Sequence, residues 1–175
     1  MNSESEKRVI VLPENPIQEK KDKEGIKKQR VIIEKEHWNF DETVYTEEYQ
    51  YKSLLYQGDI DCYNKMLQQI KRKIQSYKQQ DKTKNLFNSD KIINDVQVLE
   101  LLRNCEFLCY YCRKMIHVLY KNVREPKQWT LERIDNDYGH NHDNVVISCL
   151  ECNLHRRTMY HERYVFTKQL VVKKI

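Results

Sequence analysis

The chain has 175 residues, a length that fits one domain with an extension or two small lobes. Its 39% apolar and 33% charged residues, its twelve Tyr, and only three Gly and three Pro exclude collagen-like, Gly/Pro-rich and wholly disordered classes. The net charge of +5 fits a polyanionic partner and equally an ordinary solvated surface.

Apolar runs such as Val9–Leu12 and Val145–Ile147 fall far short of a bilayer span, so no membrane is expected as a partner. Met1–Arg8 is too polar for a secretory h-region. The expectation is an unsecreted protein in a reducing compartment, cytoplasm or nucleus, where six Cys point to metal ligation before disulfides.

Residues 1–36 read as a charged extension. Glu19–Arg30 holds one apolar residue, Ile26, and buries too little to offset its ordering entropy. Lys27–Arg30 reads either as a nuclear-import cluster or as a chance basic run. Val9–Leu12 and Val31–Ile33 are candidate short strands. Residues 37–90 combine an aromatic, acidic segment (Trp38, Phe40, Tyr45, Tyr49, Tyr51, Tyr56) with a long amphipathic helix and a linker. Asp59 is the predicted N-cap. Ile60, Tyr63, Leu67, Ile70, Ile74 and Tyr77 then recur at steps of three and four, which is one helical stripe. Lys65, Lys71, Arg72, Lys73 and Lys78 occupy the other faces, either as a solvated surface or along a nucleic-acid backbone. Gln79–Ser89 reads as a linker. A second helix is predicted over Asp95–Arg103, with Val96, Val98, Leu99 and Leu102 inside. The positive excess lies in residues 59–104, with nine basic and six acidic groups, and in 105–175, with twelve and eight.

Residues 91–175 carry the chemistry. Cys109-Tyr110-Tyr111-Cys112 and Cys149-Leu150-Glu151-Cys152 are two CxxC pairs with 36 residues between them. In a chain that is not secreted, they read as a four-thiolate zinc site, closed and therefore structural. Cys62 and Cys105 are left over as small hydrophobes, with Cys105 close enough in sequence to stand as an alternative ligand. Trp129–Ile134 reads as a strand, Asn136–Asn144 as a polar loop, Val145–Ser148 as a second strand, and the second CxxC as the start of a helix. The predicted fold class is α+β.

The pattern LERIDN…GH…DN…CxxCN…R, over roughly residues 95–162, resembles the zinc-bound HNH endonucleases common in phages and large DNA viruses. The resemblance implies a ββα-metal module and metal-dependent cleavage or nicking of DNA, with RNA as an open alternative substrate. It implies Mg²⁺ or Mn²⁺ beside the structural zinc. Glu132 falls at the acidic strand position, Asn144 at the loop-ordering Asn and Asn153 at the metal position of the helix. Arg156 and Arg157 fall where the family holds phosphate, and Arg133 stands in place of the base His as a further phosphate contact. An Arg stays protonated and cannot serve as the base. Three routes stay open: Asp135 binds the metal or activates water, His140 or His142 swings in as base, or the chain keeps only the zinc scaffold. In the last case it is a module that binds nucleic acid or protein, or a subunit of a larger, virus-encoded assembly. A homodimer or assembly through the N-terminal half is a further expectation.

Overall fold

The computed structural model describes residues 40–170. The expected extension over residues 1–36, with its candidate strands and basic cluster, and Trp38 lie outside the described residues. Among the described residues, five α-helices and one two-stranded sheet make a mixed α+β fold. No helix among them is long and apolar enough to cross a membrane.

A 3-10 turn, Glu42–Tyr45, leads into α1, Glu47–Tyr56, which Thr46 caps by accepting from the Tyr49 N–H. α1 ends at Gln57, whose φ of 51° turns the chain. Asp59 then caps α2, Ile60–Thr83, by accepting from the Cys62 N–H at 3.0 Å. The Tyr49 hydroxyl donates to the other carboxyl oxygen at 2.7 Å, which joins the two helix starts.

α2 corrects two expectations. Its buried residues are Cys62, Met66, Gln69, Ile70, Ile74 and Asp81, whereas Ile60 is 68% exposed and Tyr63 and Leu67 are only half-buried. The apolar stripe is therefore rotated at its start, because the small Cys62 and flexible Met66 fill the contact with α1 better than the bulkier neighbours. The helix also runs through Gln79–Thr83, predicted as linker. Gln and Lys are good helix formers, and Asp81 continues the buried stripe one turn beyond Tyr77.

α3, Asp95–Asn104, starts on a capping box in which Asn94 and Gln97 exchange hydrogen bonds of 3.0 Å. Val98, Leu99 and Leu102 are buried, but Val96 is 63% exposed, against expectation. It lies in the first turn, on the side away from the core.

β1, Trp129–Arg133, pairs antiparallel with β2, Val145–Cys149, in the register Trp129 with Cys149 and Glu132 with Val146. α4, Leu150–Arg156, follows directly, and α5, His161–Gln169, closes the described chain. Thr130, Glu132 and Ser148 share the face toward α4, as strand alternation requires. A hairpin of two five-residue strands is marginal alone, so its register depends on what covers it.

One continuous set of buried side chains runs from Val44 to Tyr164. Gln50 of α1 is locked between the Leu119 carbonyl and the N–H groups of Val118 and Leu119. The ammonium of Lys73 in α2 donates to the Trp129 carbonyl, and the Tyr77 hydroxyl accepts from the Leu131 N–H at 3.1 Å. Packing therefore crosses residue 90 freely.

Candidate metal centre and adjoining cleft

Cys109 and Cys112 lie on the turn after α3, and Cys149 and Cys152 at the junction of β2 and α4. All four sulfurs lie within 4.8 Å of one another, and Cys112 and Cys149 are 3.9 Å apart. A tetrahedron with metal–sulfur bonds of ~2.3 Å has edges of ~3.8 Å, whereas a disulfide requires ~2.05 Å. All six cysteines are free. The Cys109 sulfur accepts from the Cys149 N–H at 3.3 Å, and the Cys149 sulfur accepts from the Cys152 N–H at 3.4 Å. These bonds favour thiolates and aim the sulfurs inward. The sulfurs also hydrogen-bond one another, which pushes the Cys109 thiol well down and the Cys149 and Cys152 thiols up, as thiols sharing protons at one site do. The donor set, spacing and burial fit a metal ion such as zinc. Cys105, the expected alternative, is outside the cluster and is bonded to the Leu102 carbonyl.

Aromatic rings close the outer side of the cluster. Tyr111 and Tyr164 are buried and meet edge to face at 4.8 Å. The Tyr111 hydroxyl and His161 Nδ1 are 3.1 Å apart.

Beside the cluster, the hairpin, α4 and the end of α2 enclose a cleft of about 370 Å³. Glu132, Arg133, His140, Asn153 and Arg157 line it, together with Tyr77, Gln80 and Lys84 from the α2 side. Glu132 is buried, and burial raises its carboxyl above the ordinary range against the opposing pull of Arg156. The Arg156 guanidinium bonds one carboxyl oxygen of Glu132. Asn153 donates its Nδ2 to Thr130 Oγ1 at 3.3 Å, which turns its Oδ1 away from that strand.

His140 is 5% exposed and lies on the loop between the strands. Its backbone N–H donates to Asp81 Oδ2 and its Nδ1 meets Asp81 Oδ1, both at 2.7 Å. Tyr77 stacks on the ring at 4.4 Å. Burial pulls the imidazole below its ordinary pKa, with Asp81 opposing.

The loop that presents His140 is pinned at several points. Asn144 accepts from the Asp135 N–H at 2.9 Å and donates to the carbonyls of Asp135 and Gly139. The backbone of Lys91 and Ile93 bonds His142 and His140. A Cβ on Gly139 would sit 2.5 Å from the Leu86 carbonyl and 2.9 Å from Asp81 Oδ2. Gly139→Ala is accordingly expected to cost about 1–3 kcal/mol by overpacking, read as a lowered melting temperature.

Two expected site residues, Arg156 and Asp135, stand apart from the cleft lining. Arg156 is 2% exposed, and its guanidinium is committed to Glu132 and the carbonyls of Arg133 and Ile134, so it braces the hairpin and does not reach a phosphate. Asp135 is exposed and does not line the cleft; its Oδ1 accepts from the Asp137 N–H in its own turn. The Arg133 guanidinium donates to the carbonyls of Asn136 and Tyr138, bracing the loop at the cleft wall. His142 and His155 are exposed and outside the cleft lining. Sequence reasoning missed Asp81, although its position four residues beyond Tyr77 put it on the buried stripe.

Comparison with known proteins finds no matching family model, no matching curated protein and no matching solved structure.

Proposed function

We propose that the chain is a divalent-metal-dependent nuclease of the HNH kind, acting on DNA, with a structural zinc held by Cys109, Cys112, Cys149 and Cys152. The observation that carries this reading is the convergence of Glu132, His140 and Asn153 on one cleft beside the four-sulfur cluster. The carboxyl oxygen of Glu132 not bonded to Arg156 and the Oδ1 of Asn153 are hard donors that would hold Mg²⁺ or Mn²⁺. When bound there, such an ion would supply Lewis-acid polarisation of the phosphate and stabilisation of the leaving oxygen. His140 takes a proton from the attacking water through Nε2, since Nδ1 is turned to Asp81. Lys84 and Arg157 place positive charge at the cleft lining, where a phosphate backbone would lie.

A module that binds nucleic acid without cutting it is the second reading. It is favoured by the Glu132–Arg156 ion pair, which already occupies one oxygen of the acidic group.

Supercoiled plasmid incubated with the full chain and Mg²⁺ or Mn²⁺ separates the two. Relaxation or linearisation is expected, and His140→Gln and Asn153→Ala are each expected to slow it by at least about 100-fold. Both Glu132 and His140 must be unprotonated for the proposed step. Burial pulls His140 below its ordinary value and pushes Glu132 above its own, so cleavage should be lost toward acid and not toward alkali. Salt-sensitive DNA binding with no scission under either ion would select the binding module.

A further inference from the structure

The end of α2 lies outside the stretch that carries the motif resemblance, yet it supplies one wall of the cleft. Asp81 is its buried acidic group, 1% exposed, and both its oxygens are spent on a single residue 59 positions away. A carboxylate of this kind could simply satisfy a loop backbone. The second bond, to the ring, makes a sharper assignment available.

We infer that Asp81 is a positioning residue that fixes the tautomer and orientation of His140, holding the proton on Nδ1 and presenting Nε2 to the cleft as an acceptor. This deepens the nuclease reading and rests on it only for the use to which Nε2 is put.

The hydrogen-bond inventory carries the argument. The His140 backbone N–H can only donate, and it takes Asp81 Oδ2. The remaining oxygen, Oδ1, is an acceptor, so the ring nitrogen facing it must donate. The proton is thereby placed on Nδ1, and Nε2 is left as a lone-pair acceptor. Tyr77 packs on one face of the ring, with centroids 4.4 Å apart, and holds its plane. Gly139, with no Cβ, lets the loop come this close to Asp81. The other charged groups that face the ring are Lys84 at the end of α2 and Arg133 on β1, and both disfavour a second proton.

An isosteric change reverses the proton. In Asp81→Asn the single amide oxygen must take the backbone N–H. The amide nitrogen then faces the ring and can only donate. Nδ1 becomes the acceptor and the proton moves to Nε2, where it blocks base action, as in the Asp→Asn exchange of a Ser-His-Asp triad.

The experiment records the two ring ¹⁵N shifts of His140 in the full, metal-loaded chain, by long-range ¹H–¹⁵N correlation, alongside plasmid cleavage. The native chain is expected to show Nδ1–H, and Asp81→Asn to show Nε2–H with cleavage slowed by at least about 100-fold. Native His140 protonated on Nε2 overturns the inference without any variant having to fold. An inverted tautomer with undiminished cleavage removes His140 from the reaction. A native chain with the expected tautomer and no cleavage overturns the nuclease reading, and leaves Asp81 as the group that sets the His140 proton.

Discussion

Removal of metal from the Cys109, Cys112, Cys149 and Cys152 cluster is expected to abolish the cooperative thermal transition of the protein. Structural zinc contributes on the order of 10 kcal/mol to small metal domains. A domain of this size is stable by about 5–15 kcal/mol in total, so the loss is of the same size as the whole. Besides the sulfurs, the turn is tied to the hairpin by the Tyr110 N–H to Ile147 carbonyl bond, by the Trp129 N–H to His117 carbonyl bond just beyond it, and by buried side chains that include Tyr111 and Tyr164. Because the interior is continuous from Val44 to Tyr164, loosening the turn should also loosen α1 and α2. Melting followed by circular dichroism, with metal content measured on the same sample, checks this. Cys149→Ser should behave like the chelated protein. Cys105→Ala, outside the cluster, should keep both metal and melt. An unchanged melt in protein shown to be metal-free would refute the cluster's structural role.

Arg156→Met should destabilise the fold by about 3–5 kcal/mol, the cost of leaving a buried charge without its partner. The size follows from what the guanidinium holds. It pairs with Glu132 and also accepts the role of donor to two carbonyls, those of Arg133 and Ile134, at the exit of β1. Glu132→Gln relieves the unpaired carboxylate but not the orphaned carbonyls. The double variant should therefore recover part of the loss, leaving roughly 1 kcal/mol per unmet carbonyl. The deficit should also depend on pH. Burial already raises the Glu132 carboxyl, and without Arg156 the first opposing influence is gone. A raised folded-state pKa contributes stability below the ordinary 4.5 that is lost as pH rises through the folded value. Arg156→Met should accordingly be least harmful in acid and most harmful near neutrality. A flat deficit across pH, measured by urea unfolding, would show that Glu132 is not the group left stranded.

Much of this architecture was legible in local pattern. The Asp59 cap, the two strands, the helix opened by the second CxxC and the clustering of four sulfurs each rest on spacing or cap chemistry within a few residues, and each is present. Roles that depend on distant partners were not legible. Arg156 looks like a phosphate contact until Glu132, 24 residues earlier, is seen to claim it. Asp135 stands as a metal or water ligand on the motif alone, but β1 ends at Arg133 and Asp135 falls in the turn beyond it, where it accepts from the Asp137 N–H. Asp81 looked like linker because a run of Gln, Lys and Thr carries no apolar signal, although the helix persists through it. The phase of α2 was misread at its first turns because Ile60 outweighs Cys62 on any hydrophobic scale, while shape against α1 favours the smaller side chain.

The shared interior across residue 90 bears on how the hairpin and α4 could be moved between proteins. A graft of the strand–loop–strand–helix unit alone would carry only Cys149 and Cys152 and leave Cys109 and Cys112 behind on the turn after α3. It would leave behind Tyr77, Asp81 and Lys84, and with them one side of the cleft. The transplanted imidazole would then be free to rotate and to exchange its proton between nitrogens, so the travelling unit must bring both the Cys109–Cys112 turn and the last two turns of α2 if it is to arrive whole.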